Sequence, residues 1–168
     1  MASPIDSLSS NEFGDLKKDK PKKVARKAKL RVSKNETTLN FGTEIENGRV
    51  VITLPIRTVS EGNNFDPWRK KHARHKDQKR AVMFAMFPIK SKLSLPCKIT
   101  LVRYAPRELD VFENLPYSLK WIADQVCAEL TGDHRPGRAD GDKRISIKAD
   151  QVKSKIYAVK IILELDKG

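Results

Sequence analysis

From Leu115 to Leu130 the apolar residues Leu115, Leu119, Ile122, Ala123, Val126, Cys127 and Leu130 recur at steps of four, three, one, three, one and three. That spacing lays them in one stripe along a helix of 3.6 residues per turn. Asn114 is placed to cap the helix, Pro116 sits in its first turn, and the turn-rich run TGDHRPGRADGD over 131–142 ends it. A single apolar stripe must be covered by another layer. Four β-patterned runs supply one: RVVITLPIR (49–57), CKITLVRY (97–104), RISIKAD (144–150) and KIYAVKIILEL (155–165). A loop, SEGNNFDP (60–67), leads into a second helical pattern over 67–86, with Asp66 as N-cap and Pro67 at the first helical position. The order β, α, β, α, β, β predicts an α+β fold, a small mixed sheet with two helices packed on it.

Charge decides the class of partner. The 168 residues include 34 Lys and Arg against 21 Asp and Glu, a net charge of +13. Ten of the basic residues and one acid fall in 17–34, KKDKPKKVARKAKLRVSK, a run too poor in large apolar side chains to offset its ordering entropy. Residues 1–47 are therefore expected to be a flexible basic arm, and 48–168 the folded domain. The arm does not hold all the charge, since Arg49 to Gly168 carries 24 basic and 14 acidic residues, a net +10. Such a field favours polyanions, with nucleic acid foremost. Arg69, Lys70, Lys71, Arg74 and Lys76 on the first helix are the expected phosphate contacts. With no long apolar run and no secretory leader pattern, the chain is expected to be cytoplasmic and not to enter a membrane. Cys97 and Cys127 lie in apolar surroundings without ligand spacing and are expected to be small buried hydrophobes.

Acids in so basic a domain stand out. Asp110 and Glu113 precede the second helix, and Asp140 and Asp142 close the turn-rich loop. Carboxylates facing a phosphate chain repel it unless a hard cation intervenes, and Mg²⁺ takes such oxygen ligands together with substrate phosphates. The same acids also suit bland roles. Asp110 and Glu113 favour a helix N-terminus, and Asp140 and Asp142 suit an Asx turn around Gly141. Helical spacing aligns Glu113, Tyr117, Lys120 and Asp124 on one polar face. Lys120 there either meets a phosphate or pairs with Asp124, and spacing alone prefers the pair. Phosphate-binding glycine loops, serine-nucleophile elbows and zinc-protease motifs are absent from the sequence.

PRELDVFENLPYSLKWIADQV followed by GRADGDKRISIKADQVK resembles the acidic core of RusA-type Holliday-junction resolvases, small crossover-junction endodeoxyribonucleases of phages and prophages. ITLPIRTVSEGNNFDPWRKKHARHK is similar to their first strand, asparagine-bearing loop and Trp-containing basic helix. The likeness runs from about 49 to 165. It implies metal ligation by Asp110, Glu113 and Asp140 with Asp142 close by, a catalytic or phosphate-contacting Lys120, Mg²⁺ as cofactor, and a homodimer acting on branched DNA such as four-way junctions rather than on a small molecule. A two-fold junction suits two equivalent sites. One departure is plain: Asp-Val-Phe-Glu spaces the first two acids three apart where the family spaces them two apart and uses Asp twice. A rival expectation follows, a noncatalytic branched-DNA-binding protein of the same fold, and a third, a ribosomal-type RNA binder, predicts preference for structured RNA.

Overall fold

The structure, a computed structural model, describes residues 39–165 apart from 47, 63, 136 and 137. Its elements in chain order are β1 (Gly42–Glu46), β2 (Arg49–Leu54), α1 (Trp68–Met86), β3 (Cys97–Ala105), α2 (Asn114–Thr131), β4 (Ile145–Lys153) and β5 (Ala158–Leu165). Short 3-10 turns, Phe87–Lys92 and Ala139–Gly141, follow α1 and precede β4. The strands form one five-stranded mixed sheet in the order β1-β2-β5-β3-β4. β3 and β4 run parallel, joined through α2, and every other neighbouring pair is antiparallel. The fold is the α+β arrangement that the periodicities predict.

Register explains the core. Val50 lies opposite Leu163, which lies opposite Ile99; Ile52, Ile161 and Leu101 form the next row. Side chains alternate faces along a strand, so these rows share one face. All six are buried, and the α2 stripe covers them through Leu115, Leu119, Ile122, Val126 and Cys127, with Val82 and Met86 from α1. Burying each such side chain contributes about 1.5–3 kcal/mol. Gly132, at φ +73°, ends α2 in the left-handed region where a side chain would be strained, and its N–H closes onto the Ala128 carbonyl. Cys97 and Cys127 are buried as expected, and burial, with the fields of Asp140 and Asp124, pushes the Cys127 thiol up to about 12.

The structure corrects three local expectations. The N-terminal arm was expected to reach residue 47, yet Gly42–Glu46 is a strand paired with β2, and Leu39 is buried against Tyr104 and Ala158. Residues 1–38, which hold most of the expected arm, lie outside the described residues. Asp66 does not cap α1; Pro67 holds that position, and the Asp66 carboxylate accepts from Asn64 and Arg74 instead. Asn114 is the first residue of α2 rather than its cap. The cap position is Glu113, and Asp110 supplies the capping side chain.

Candidate nucleic-acid interface and acidic centre

Asp110 stands just beyond the carboxyl end of β3, where open α/β sheets commonly carry their sites. Its Oδ1 accepts the N–H of Phe112 at 3.3 Å, and its Oδ2 accepts those of Glu113 at 2.9 Å and Asn114 at 3.3 Å. These bonds favour the ionised form and hold the carboxyl below its ordinary range, the Glu113 N–H foremost. The surrounding loop is tied on three sides. Gln151 of β4 clamps Leu109, accepting its N–H at 2.9 Å and donating to its carbonyl at 2.7 Å. Arg103, buried in β3, donates to the Arg107 carbonyl at 2.8 Å and to Thr58 Oγ1 at 3.0 Å. Ser60 donates its hydroxyl hydrogen bond to Asn114 Oδ1, joining the loop before α1 to the start of α2. A functional carboxylate needs such fixed placement.

The second acidic region meets α2 further along. Lys120 Nζ lies 3.3 Å from Asp124 Oδ1, the helical pair that spacing prefers, and 3.9 Å from Asp140 Oδ2 across the turn. Both carboxylates thus converge on one ammonium. A cleft of about 510 Å³ opens beside them, bordered by Pro116, Tyr117, Lys120, Asp124 and Asp140. Asp110 caps the same turn of α2 that contributes Pro116 and Tyr117, so both acidic regions lie along one helix, between its start and Asp124. Asp142 is engaged elsewhere: Arg144 donates to it through Nε and Nη2 at 3.0 and 2.7 Å and pulls its carboxyl down to about 2. Glu113 is exposed.

The four-acid set of Asp110, Glu113, Asp140 and Asp142 is not gathered into one cluster, and among the described residues no three acids, histidines or cysteines are grouped to hold a metal. Asp124 and Asp140 instead meet at the Lys120 ammonium, which stands between the two carboxylates; one or two carboxylates are what Mg²⁺ commonly takes beside water and phosphate. Spacing places Asp124 only as a partner for Lys120. A paired-acid signal, one residue on a helix and one in the following loop, is invisible until the helix and the loop are docked.

The cationic face of α1 divides in two. Arg69, Lys70 and Lys76 are exposed and Lys71 is half-buried. Arg74, expected beside them as a phosphate contact, turns inward: it donates to Glu61 through Nε and Nη2 at 2.9 and 3.0 Å, and to Asp66 through Nη1 at 3.0 Å. His75 Nε2 stands 3.1 Å from Glu61, and its ring stacks on Trp121 of α2 at 4.2 Å. Lys79 lies over the same indole at 5.0 Å. Hence the charge of α1 is part clamp and part open surface.

No family model matches the chain, and no curated protein does. Among solved structures it is similar to the protein Atu1372 of Agrobacterium tumefaciens, whose function is unknown, at 13% identity and a TM-score of 0.38, covering 76% of this chain and 82% of that one. It is also similar to a protein described as a "putative endoribonuclease" from Shewanella oneidensis MR-1, at 12% identity and a TM-score of 0.37, covering 77% and 87%. Among the described residues no helix is long and apolar enough to cross a membrane.

Proposed function

We propose that this chain is a structure-selective endodeoxyribonuclease of the RusA type, which binds branched DNA through α1 and cleaves phosphodiesters beside α2. One observation carries the reading. A carboxylate fixed by three N–H bonds, and a Lys120 ammonium drawn between Asp124 and Asp140, lie along one helix in a domain of net charge +10.

In this reading Arg69, Lys70, Lys71 and Lys76 hold phosphates flanking the cut and set the register without reading bases. Lys120 meets the scissile phosphate and stabilises the negative charge that grows on its oxygens. Asp124 and Asp140 would hold Mg²⁺, which supplies Lewis acidity and an activated water when bound. Asp110 keeps the α2 N-terminus in place beside them. Two copies acting across a two-fold junction would place one such centre on each of two opposed strands.

A second reading, junction binding without cleavage, is favoured by a separate observation: the Asp110 and Asp142 carboxylates are already engaged by backbone N–H groups and by Arg144. Labelled four-way junction and matched duplex, each with Mg²⁺ or with EDTA, separate the two. Symmetric, metal-dependent nicking of the junction, lost in Asp140→Asn, supports the nuclease. Tight junction binding without nicking at any Mg²⁺ concentration supports the binder. Preference for structured RNA over both DNAs rules out each of them.

A further inference from the structure

Phe65 and Trp68 stand in water where a globular protein normally hides such rings: Phe65 is 99% exposed and Trp68 73%. Neither is left out by slackness. Asn64 Oδ1 accepts the Asp66 N–H at 3.1 Å while Asn64 Nδ2 donates to Asp66 Oδ2 at 2.7 Å, so the residues on either side of Phe65 are bonded to each other and throw its ring outward. Arg74 then anchors Asp66, at 3.0 Å, to Glu61 and to α1. Trp68 is held too, because the His72 ring lies almost parallel to it, with centroids 5.2 Å apart and planes 18° apart. Phe65 and Trp68 lie three positions apart in the chain, so backbone reach keeps their Cα atoms within roughly 11 Å. Arg69, Lys70 and Lys71 follow directly in sequence.

Fixed aromatic faces bordered by cations are what unpaired bases recognise. Every base has a π-face to stack, and its phosphate seeks the neighbouring charge. A paired duplex offers no such faces along its length. We infer that Phe65 and the Trp68–His72 stack form a base-stacking platform that selects nucleic acid with unpaired or unstacked bases over continuous duplex. The inference rests on α1 being the nucleic-acid face of the proposed function. It adds stacking on bases to contacts that otherwise reach only phosphates, and so assigns the source of structure selectivity to α1 and the loop before it rather than to the acidic centre.

Tryptophan emission tests this without reference to cleavage. The chain has two tryptophans, Trp68 and Trp121, and Trp121 is half-buried against His75. The full chain is titrated, without divalent metal, with a thymidine oligonucleotide and with a blunt duplex. The single strand quenches emission; Trp121→Phe keeps the quench and Trp68→Ala loses it. Phe65→Ala and Trp68→Ala each weaken single-strand affinity roughly tenfold or more, with duplex affinity changed less than about threefold and the thermal midpoint unchanged. A quench that survives Trp68→Ala, an equal loss of affinity for both nucleic acids, or no quench at all overturns the platform. Junction nicking scored on the same variants keeps the two proposals apart. Quenching by an inactive protein leaves the platform standing without the nuclease, and nicking with no quench does the reverse.

Discussion

α1 and α2 are nearly equal in length, 19 and 18 residues, yet they are held to the domain in opposite ways. α2 buries Leu115, Ser118, Leu119, Ile122, Val126, Cys127, Ala128 and Glu129 along its whole length, whereas α1 buries only Gln78, Val82 and Met86, all in its second half. The first half of α1 is fixed by polar links instead: Arg74 to Glu61 and Asp66, and the His75 ring on Trp121. A helix pinned by charge and stacking at its edge, rather than by a buried stripe, keeps its remaining side chains in solvent. That is the condition for a binding surface, whereas α2 is held rigidly along its length.

The largest stability effect is expected where α2 meets the sheet. Ile122→Ala removes a fully buried side chain and should cost about 2–5 kcal/mol, read as a fall in the urea midpoint. Lys76→Ala, exposed on α1, should stay within about 0.5 kcal/mol. Equal losses from the two would erase the distinction between the helices.

Next comes the clamp. Arg74→Ala leaves Glu61 without its main partner and should cost about 2 kcal/mol, while weakening DNA binding less than Arg69→Ala does. Burial works to raise the Glu61 carboxyl, but hydrogen bonds and charge from Arg74 and His75 outweigh it and hold the group below its ordinary 4.5. A depressed carboxyl stabilises the fold fully above that pH and loses its contribution as the pH falls below it. Wild type should therefore lose more stability than Arg74→Ala between neutral pH and the acid range, as measured by urea unfolding at each pH.

On the open face the expected effect is on salt dependence. Replacing Arg69, Lys70 and Lys76 together with Ala should lower the slope of log affinity against log salt by up to roughly 2.7, about 0.9 for each phosphate that is no longer neutralised. An unchanged slope would remove α1 from the DNA face. The smallest effect is an absence of reaction: with its thiol pushed up to about 12 by burial, Cys127 should resist a thiol-modifying reagent at neutral pH until the protein is unfolded.

Much of this architecture is legible because it is periodic. The α2 stripe, the β-branched runs and the loop before α1 follow from spacing that one sequence displays. β1 is less legible, since GTEIE is exposed at every position and lies beside a charge-rich segment, though Asn47-Gly48 before a β-branched run is a hairpin signal. Asp66 and Arg74 depart from expectation for a single reason: a carboxylate near a helix start and a cation on a basic helix have standard roles, and here each takes the other as partner. The Asp110 loop shows the same limit. Its place before α2 is readable, but its tethers come from Thr58, Ser60, Arg103 and Gln151, residues brought together only by the folded sheet.

In the proposed function, phosphodiester cleavage takes place beside α2, at Lys120, Asp124 and Asp140. Single-turnover nicking of a labelled four-way junction in Mg²⁺, with junction affinity measured alongside for wild type and Asp140→Asn, tests it most directly. Nicking is expected to fall by about a hundredfold or more from wild type to the variant while affinity is kept. Equal nicking by both proteins, or none by either at saturating junction, contradicts it.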